Sequence, residues 1–495
     1  MKSNNNIQHF PVFINGKFYE NQKKECFTSI NPHTEKSWAT FSVAKKEEVE
    51  LAVKAARCCL EEGDWSEMLP TDRGKLLYKL ADLIELHASE IGEIETHDSG
   101  KLLAETVTQT RYVADYYRYF AGLADKIQGS TLPIDKPEMH VYTSYEPIGI
   151  VAAVVPWNAQ MFLTATKLAP ALAAGCTVVI KASEIAPCSL LYFARLIKES
   201  GIPDGVVSII TGDEYNCAIP LTTHPDIDRI AFTGGPNVAK QIIINSAENF
   251  AVTTLELGGK SPIIVFEDAD IEGAVNGIIA GNYGASGQSC VAGSRVIVHE
   301  SKKKELIDEL SKRVKSIVIG DPKKSKTHVG PLCTIKQIEL IEKTIDKAVS
   351  QGANVVFGGS RIKQKGYYFE PTLIDCPNES IVTLETEMFG PVISILTFKD
   401  EKQAIKMANN SKYGLGSGLF TNNLARAHRV SKKIKAGICW INSYRAISPI
   451  APFGGYNQSG YAREAGMESI KDYVRTKTTW INISDDPMSN PFVMR

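Results

Sequence analysis

A thiol and a carboxylate held close together can transfer an acyl group. The thiolate attacks a carbonyl carbon, and the carboxylate later activates the water that releases the acid. This chain of 495 residues offers both groups in short glycine-containing settings, Gly287-Gln288-Ser289-Cys290 and Glu256-Leu257-Gly258-Gly259-Lys260. A third segment, Pro156-Trp157-Asn158, adds a side-chain amide. Singly, each is weak: a lone cysteine is more often a small buried hydrophobe than a nucleophile, and a glutamate before two glycines is more often a surface residue at a strand end. A free cysteine also has a pKa of about 8.5, so at neutral pH the sulfur needs donors or positive potential nearby.

The segments that must position these groups fall into two patterns. In the first third, Leu76, Leu80, Leu83, Ile84, Ile91 and Ile94 recur at helical spacing. A second helical stretch, Leu102 to Ala124, carries Tyr112, Tyr116, Tyr117 and Phe120, read as a buried helix face in preference to a cofactor box. From about Val141, short apolar runs (Ile148–Val155, Thr177–Ile180, Val206–Ile210, Arg229–Phe232) alternate with helix-like segments such as Met161–Ala174 and Pro187–Glu199. That alternation predicts a parallel sheet with crossover helices. Ligands then bind beyond the C-terminal strand ends. There stand Pro156, Trp157 and Asn158; Lys181 to Glu184; Thr211 and Gly212; and Thr233, Gly234 and Gly235, leading into a helix near Pro236. A second α/β pattern follows Gly258: Ser261–Phe266, a helix from Asp270, Arg295–His299, and a helix from Ser301 with Leu306, Leu310, Val314 and Ile317 on one face.

Composition narrows the classes. A formal net charge of −1 gives no reason to expect nucleic acid or an anionic membrane as partner. The longest apolar run, Ile148 to Trp157, is far short of the roughly 20 residues a membrane span needs. The N-terminal residues lack a signal peptide's basic region and apolar core. Ten cysteines are scattered irregularly, with no CxxC pair or Cys/His cluster, so reduced thiols and no metal are expected. A cytoplasmic protein is the expectation.

Seven motifs in order resemble the signature regions of the aldehyde dehydrogenase superfamily across nearly the whole chain: PWN at 156–158, KASE at 181–184, FTGG at 232–235, ELGGKSP at 256–262, GQSC at 287–290, EMFGPV at 387–392 and PFGGYNQSG at 452–460. The resemblance implies a Rossmann-like parallel-sheet domain for NAD (1–127 and 147–257), an α/β catalytic domain (258–457), and a small β oligomerisation element (128–146 and 474–495). Residues 458–473 would return to the NAD domain. It implies Cys290 as nucleophile, Glu256 as general base, and an oxyanion hole made by the Asn158 amide and the Cys290 N–H. Glu464 would support Glu256 through water or form a structural salt bridge.

For the cofactor, the resemblance assigns Pro156, Trp157, Val238 and Leu257 to its pocket, Lys181 and Glu184 to the adenine ribose, and Thr233, Gly234 and Gly235 to the pyrophosphate end. Glu387 and Phe389 would meet the nicotinamide ribose and ring. A carboxylate at Glu184 accepts from ribose hydroxyls and repels a 2′-phosphate, favouring NAD over NADP. The chain departs from the family where Gly235 replaces the usual serine, Ala182 the usual proline, and Glu214 and Ala218 two usual glycines. Ala159, Thr166 and Gly284 stand where many relatives carry aromatics, predicting a wide tunnel for a bulky or aromatic aldehyde. Arg445 is a candidate anchor for a substrate carboxylate, with a solvent-facing or interface arginine the commoner role. A CoA-acylating enzyme and a crystallin-like structural protein are the rival readings. Glu256 speaks against the first, and Cys290, Glu256 and Asn158 together against the second. Strand-like Tyr142–Tyr145 and Thr478–Ile483 would pair across subunits in a homodimer or homotetramer.

Overall fold

Apolar runs without alternation belong to strands covered on both faces, and four such runs form the centre of an eight-stranded sheet. The structure, a computed structural model, describes residues 7–20, 25–488 and 490–493. Five parallel strands stand side by side in the order Val252–Leu257, Arg229–Gly234, Ile150–Val154, Thr177–Ala182 and Val207–Thr211. The first of these in the chain is therefore central. The strand order reverses at Ile150–Val154, so the loops leaving this strand and Arg229–Gly234 diverge and open a crevice at their C-terminal ends. Short antiparallel strands finish the edges, Val12–Ile14 and Lys17–Tyr19 on one side and Gly460–Tyr461 on the other.

The crossover helices are Gln160–Ala174, Cys188–Ser200 and Pro236–Ser246. The first two end on glycines in the left-handed region, Gly175 (φ +94°) and Gly201 (φ +85°), the usual way to terminate a helix. In the aromatic helix Leu103–Ala121, Tyr116, Tyr117 and Phe120 are buried as expected, whereas Tyr112 is half-buried and donates to the Ile447 carbonyl (2.8 Å).

A second sheet begins immediately after Glu256-Leu257-Gly258-Gly259-Lys260. Six of its seven strands are parallel, in the order Thr372–Asp375, Val392–Phe398, Arg295–His299, Pro262–Val265, Gly416–Phe420 and Ile438–Ile441, with Asn354–Phe357 antiparallel at the edge. Asp270 caps the helix Ile271–Asn282 by accepting the Gly273 N–H. The helix expected from Ser301 starts at Lys303 after one tighter turn, because the His299 ring accepts the Ser301 N–H first. Leu306 and Leu310 of this helix are fully buried.

Past this second sheet the chain comes back. Ala465, Ile470 and Tyr473 pack into the core of the first sheet. There Arg229, almost fully buried, stacks on the Tyr473 ring (4.7 Å), pairs with Asp472 (3.4 Å) and bonds to Thr254. The strand Val474–Asn482 then pairs antiparallel with Met139–Pro147 over nine residues each. This two-stranded ribbon leaves Trp480 and Ile481 exposed. Among the described residues, no helix is long and apolar enough to cross a membrane.

The returning segment depends on Gly460. Its φ is +106°, and a Cβ there would stand 1.8 Å from the Leu255 carbonyl oxygen of the strand that carries Glu256. Gly460→Ala should lower unfolding stability by about 2 kcal/mol or more through combined backbone strain and overpacking, read as a lower urea midpoint. An unchanged midpoint would show that the edge strand is dispensable.

Candidate active site

Cys290 sits at the end of an irregular loop whose geometry explains its glycine. Ala285 (φ 51°), Ser286 (φ 55°) and Gly287 (φ 75°) lie consecutively in the left-handed region. Such a run costs about 1–2 kcal/mol at each non-glycine, and it persists because the loop is tied from several sides. Glu105 Oε1 accepts the Ala285 N–H (3.1 Å), Ser286 Oγ donates to the Gly330 carbonyl (2.9 Å), and Gln288 Oε1 accepts the Cys333 N–H (2.8 Å). At Gly287 a Cβ would lie 2.2 Å from the Gly390 carbonyl oxygen, so no other residue fits.

The glycines after Glu256 serve close approach. A Cβ on Gly259 would be 2.6 Å from the Cys290 carbonyl oxygen, and one on Gly258 would overlap the Glu387 carboxylate. Glu387 Oε1 accepts the Gly259 N–H (2.8 Å). Asn158 follows the central strand of the first sheet and donates one N–H to the Gln288 carbonyl (3.1 Å). An amide nitrogen has two hydrogens, so this bond orients the side chain and leaves a second donor.

Asn158 and Cys290 line one cavity of about 550 Å³, with Ala159, Phe162, Leu163, Tyr112 and Phe453 among its walls. Glu256 does not line it. Its buried carboxylate lies against Gly454, and neither oxygen has a hydrogen-bond partner. Behind it, Glu464 forms a buried ion pair with Lys167 and accepts from Thr166 Oγ1 (2.7 Å). Lys167 Nζ also donates to Thr233 Oγ1 (2.6 Å).

Burial sets the protonation of the site. The Cys290 thiol is pushed up to about 12, first by burial and then by the charges of Glu387 and Glu256; the Val291 N–H and Arg445 only partly oppose this. Glu256 is raised well above the ordinary carboxylate range by burial and by Glu464, with Lys167 and Arg463 pulling the other way. Glu387 is raised to about 7 by burial, against the Gly259 N–H and the lysines 260 and 412. Burial thus disfavours the ionised forms of both Cys290 and Glu256.

The cofactor-side residues gather along the crevice of the first sheet. Lys181 is buried at its strand end and pairs with the exposed Glu184 (2.7 Å). Gly235 precedes the first turn of Pro236–Ser246, where no side chain caps the helix, and a Cβ built on it meets nothing within 4 Å. That open, uncapped terminus suits a pyrophosphate, and the Lys181–Glu184 pair suits a ribose diol, so the residues fit NAD. Val238 is exposed on the same first turn, and Leu257 is buried. Pro156 is half-buried beside Trp157. The Trp157 ring meets Phe389 edge-on with centroids 5.5 Å apart, and Phe389 is half-buried, not a core residue. Thr233 is nearly closed off, its hydroxyl engaged by Lys167.

The tunnel expectation needs correction at two of its three positions. Thr166 is buried and bonded to Glu464, away from the cavity. The space left by Gly284 is filled, since a Cβ there would lie 2.7 Å from Arg445 Nη1. Only Ala159 faces the cavity, and Arg445 is part of its wall. Sequence reading also missed Lys167 and Glu105. A single lysine inside the otherwise uncharged helix Gln160–Ala174 was the available signal for Lys167, because a buried lysine requires a partner.

Comparison with known proteins agrees with this geometry. A profile of the aldehyde dehydrogenase family matches residues 18–479. The chain is 52% identical to (Z)-2-((N-methylformamido)methylene)-5-hydroxybutyrolactone dehydrogenase of Acinetobacter baylyi, over 99% of this chain and 100% of that one. It superposes on an NAD+ complex of an aldehyde dehydrogenase from Bacillus cereus with a TM-score of 0.95, at 41% identity, covering 96% of this chain and 97% of that one. Betaine aldehyde dehydrogenase of Staphylococcus aureus, also with NAD+, gives a TM-score of 0.95 at 36% identity, covering 98% and 97% of the two chains. With cysteine, amide and NAD-fitting crevice converging where two parallel sheets meet, the chain belongs to the aldehyde dehydrogenase family and is an NAD-dependent oxidoreductase acting on aldehydes.

Proposed function

We propose that this enzyme converts an aldehyde to its carboxylic acid through a thioester on Cys290, which Glu256-activated water hydrolyses. The observation that carries the reading is the shared cavity of Cys290 and Asn158, with an unpartnered Glu256 carboxylate close enough to perturb the thiol. Cys290 Sγ gives up its proton to solvent and bonds to the carbonyl carbon, whose π electron pair moves onto the oxygen. The oxygen that becomes negative is held by the free Asn158 N–H and by the Cys290 N–H, which has no acceptor among the described residues. Bound NAD supplies the acceptor for the hydride that departs from this carbon, leaving a thioester. Glu256, once its own proton has left to solvent, turns toward the cavity and takes a proton from water, whose oxygen bonds to the acyl carbon as the C–S bond breaks and the sulfur leaves as thiolate.

We also propose a division of labour within the chain. Residues 1–127 and 147–257 bind NAD through Pro156, Trp157, Lys181, Glu184, Gly234, Gly235, Val238 and Leu257, and Thr233 acts indirectly, by seating Lys167. Residues 258–457 carry Cys290, and residues 458–473 return to the NAD side. The oligomerisation element, 128–146 and 474–495, makes a homodimer or homotetramer, supported by the exposed Trp480 and Ile481 on its strand Val474–Asn482. Glu387 and Phe389 hold the nicotinamide end. A cytoplasmic setting fits ten cysteines scattered at irregular intervals, with no CxxC pair.

A bulky substrate is supported by Ala159, by the 550 Å³ cavity, and by the large ring-bearing substrate in the name of the Acinetobacter relative. Benzaldehyde should therefore exceed acetaldehyde in kcat/KM, and a clear preference for acetaldehyde would remove this part of the proposal.

Two further outcomes test the chemistry. Cys290→Ser should abolish NADH formation. Glu256→Gln should still form NADH in the first turnover and then stall, with a fall in steady-state rate of about 100-fold or more and acyl-enzyme visible by mass. Release of product by CoA faster than by water would favour the acylating alternative. The alkylation of Cys290 by iodoacetamide should rise only in strongly alkaline solution for the enzyme alone, because the thiol is held up to about 12. Added NAD, with its cationic ring, should move the profile to lower pH; superimposable profiles would show that the cofactor does not activate the thiol.

A further inference from the structure

One wall of the Cys290 cavity is built for something other than a hydrocarbon. Arg445 lines it, and its Nη1 donates to the Ala280 carbonyl (2.9 Å). Among the described residues, no other hydrogen bond holds the guanidinium and no carboxylate lies within 4.0 Å of it. A cation lining a catalytic cavity without an anionic partner leaves its remaining N–H donors for a ligand.

The guanidinium is also firmly placed. Tyr444, the preceding residue, is buried and donates from its hydroxyl to the carbonyl of Val291, next to the nucleophile (2.9 Å). Trp440 Nε1 donates to the carbonyl of Ala446, the following residue (2.8 Å). Between these two ties the Arg445 backbone takes φ 66°, a conformation that non-glycine residues adopt at a cost. Gly284 offers the space into which Nη1 fits.

A second charged group touches the same turn. Glu105 lines the cavity and holds the Ala285 N–H, one residue beyond Gly284. Its other oxygen, Oε2, is buried with no donor. The arginine and this carboxylate stand at neighbouring residues of one turn without forming an ion pair. A carboxylate on the substrate would gain the arginine but face Glu105, whereas an uncharged carbonyl oxygen gains the donors without the repulsion.

We propose that Arg445 is a specificity-determining residue: it donates its free N–H groups to an oxygen acceptor carried by the aldehyde away from the reacting carbon, and Glu105 restricts that acceptor to an uncharged one. The substrate class is thus an aldehyde bearing a distal amide, ester or similar neutral carbonyl. The inference rests on the reading that aldehydes react at Cys290, and it narrows which ones do so efficiently.

The test uses the full-length enzyme with NAD and three aldehydes of equal chain length: butanal, succinic semialdehyde and the primary amide of succinic semialdehyde, with a second set two carbons longer. The amide should exceed both others in kcat/KM by about tenfold or more, the range expected for a hydrogen bond to a charged group. Arg445→Met should collapse that preference mainly through KM of the amide, and Arg445→Lys should restore part of it. Glu105→Gln should raise kcat/KM for succinic semialdehyde relative to the amide.

A readout without turnover completes the test: succinamide should slow iodoacetamide labelling of Cys290 at lower concentration than succinate does in the wild type, and should lose that advantage in Arg445→Met. Unchanged ratios in the variants, or equal protection by the two compounds, would overturn the proposal. Absence of NADH from every aldehyde would instead sink the oxidation reading, while the protection assay would still report on the anchor.

Discussion

Everything in this active site hangs on the close passage of a glycine backbone between two sheets. Gly258 and Gly259 link the strand bearing Glu256 to the strand that opens the second sheet, and there is no room for a Cβ on either. The carbonyl of Cys290 fills the space beside one and the Glu387 carboxylate the space beside the other. Because the strands on each side belong to different cores, this contact sets how near Cys290 lies to the NAD-fitting crevice. A methyl group at Gly259 would push the cysteine loop away from the strand ends that must face it, and catalysis of this kind tolerates little displacement.

The second constraint is electrostatic. Within the crossing region, two buried carboxylates, Glu256 and Glu464, share the neighbourhood of one buried ammonium, Lys167. Glu464 takes the direct pairing and a hydroxyl donor as well, while Glu256 is left without a partner. An unpaired buried carboxylate relieves its desolvation by keeping its proton. Burial therefore disfavours the charged forms of both Glu256 and the Cys290 thiol. The buried pair behind Glu256 then fixes Thr233 and Thr166, so residues adjoining the crevice and the base share one network.

Around the nucleophile, the walls divide by chemistry. Phe162, Leu163 and Phe453 are apolar, whereas Arg445 and Glu105 meet at the turn that precedes the cysteine. The hydroxyl of Tyr112 reaches across to the Ile447 carbonyl, joining the aromatic helix to the C-terminal loop that carries Arg445. The strain in Ala285, Ser286 and Arg445 is concentrated around this cavity, as expected where the surroundings over-determine a conformation that function requires.

Much of this was legible in residue order. The apolar runs ending at Val155, Ile180, Ile210 and Phe232 marked strands buried on both faces, and the polar and glycine residues just beyond them marked a ligand-binding rim, because both follow from local periodicity. The motifs at 156–158, 256–260 and 287–290 singled out Asn158, Glu256 and Cys290 as the candidate amide, carboxylate and thiol. Residue order could not show that Thr166 serves Glu464, which is 298 positions away, or that Arg445 fills the space opposite Gly284. Nor could it show that Glu256 lies outside the cavity in this state. Such facts depend on which side chains meet when distant segments pack, and close packing admits one occupant per space. The chain's pattern alone determined strands and turns and pointed to candidate reacting groups; the tertiary fold decided the partners of those groups and which gaps are filled.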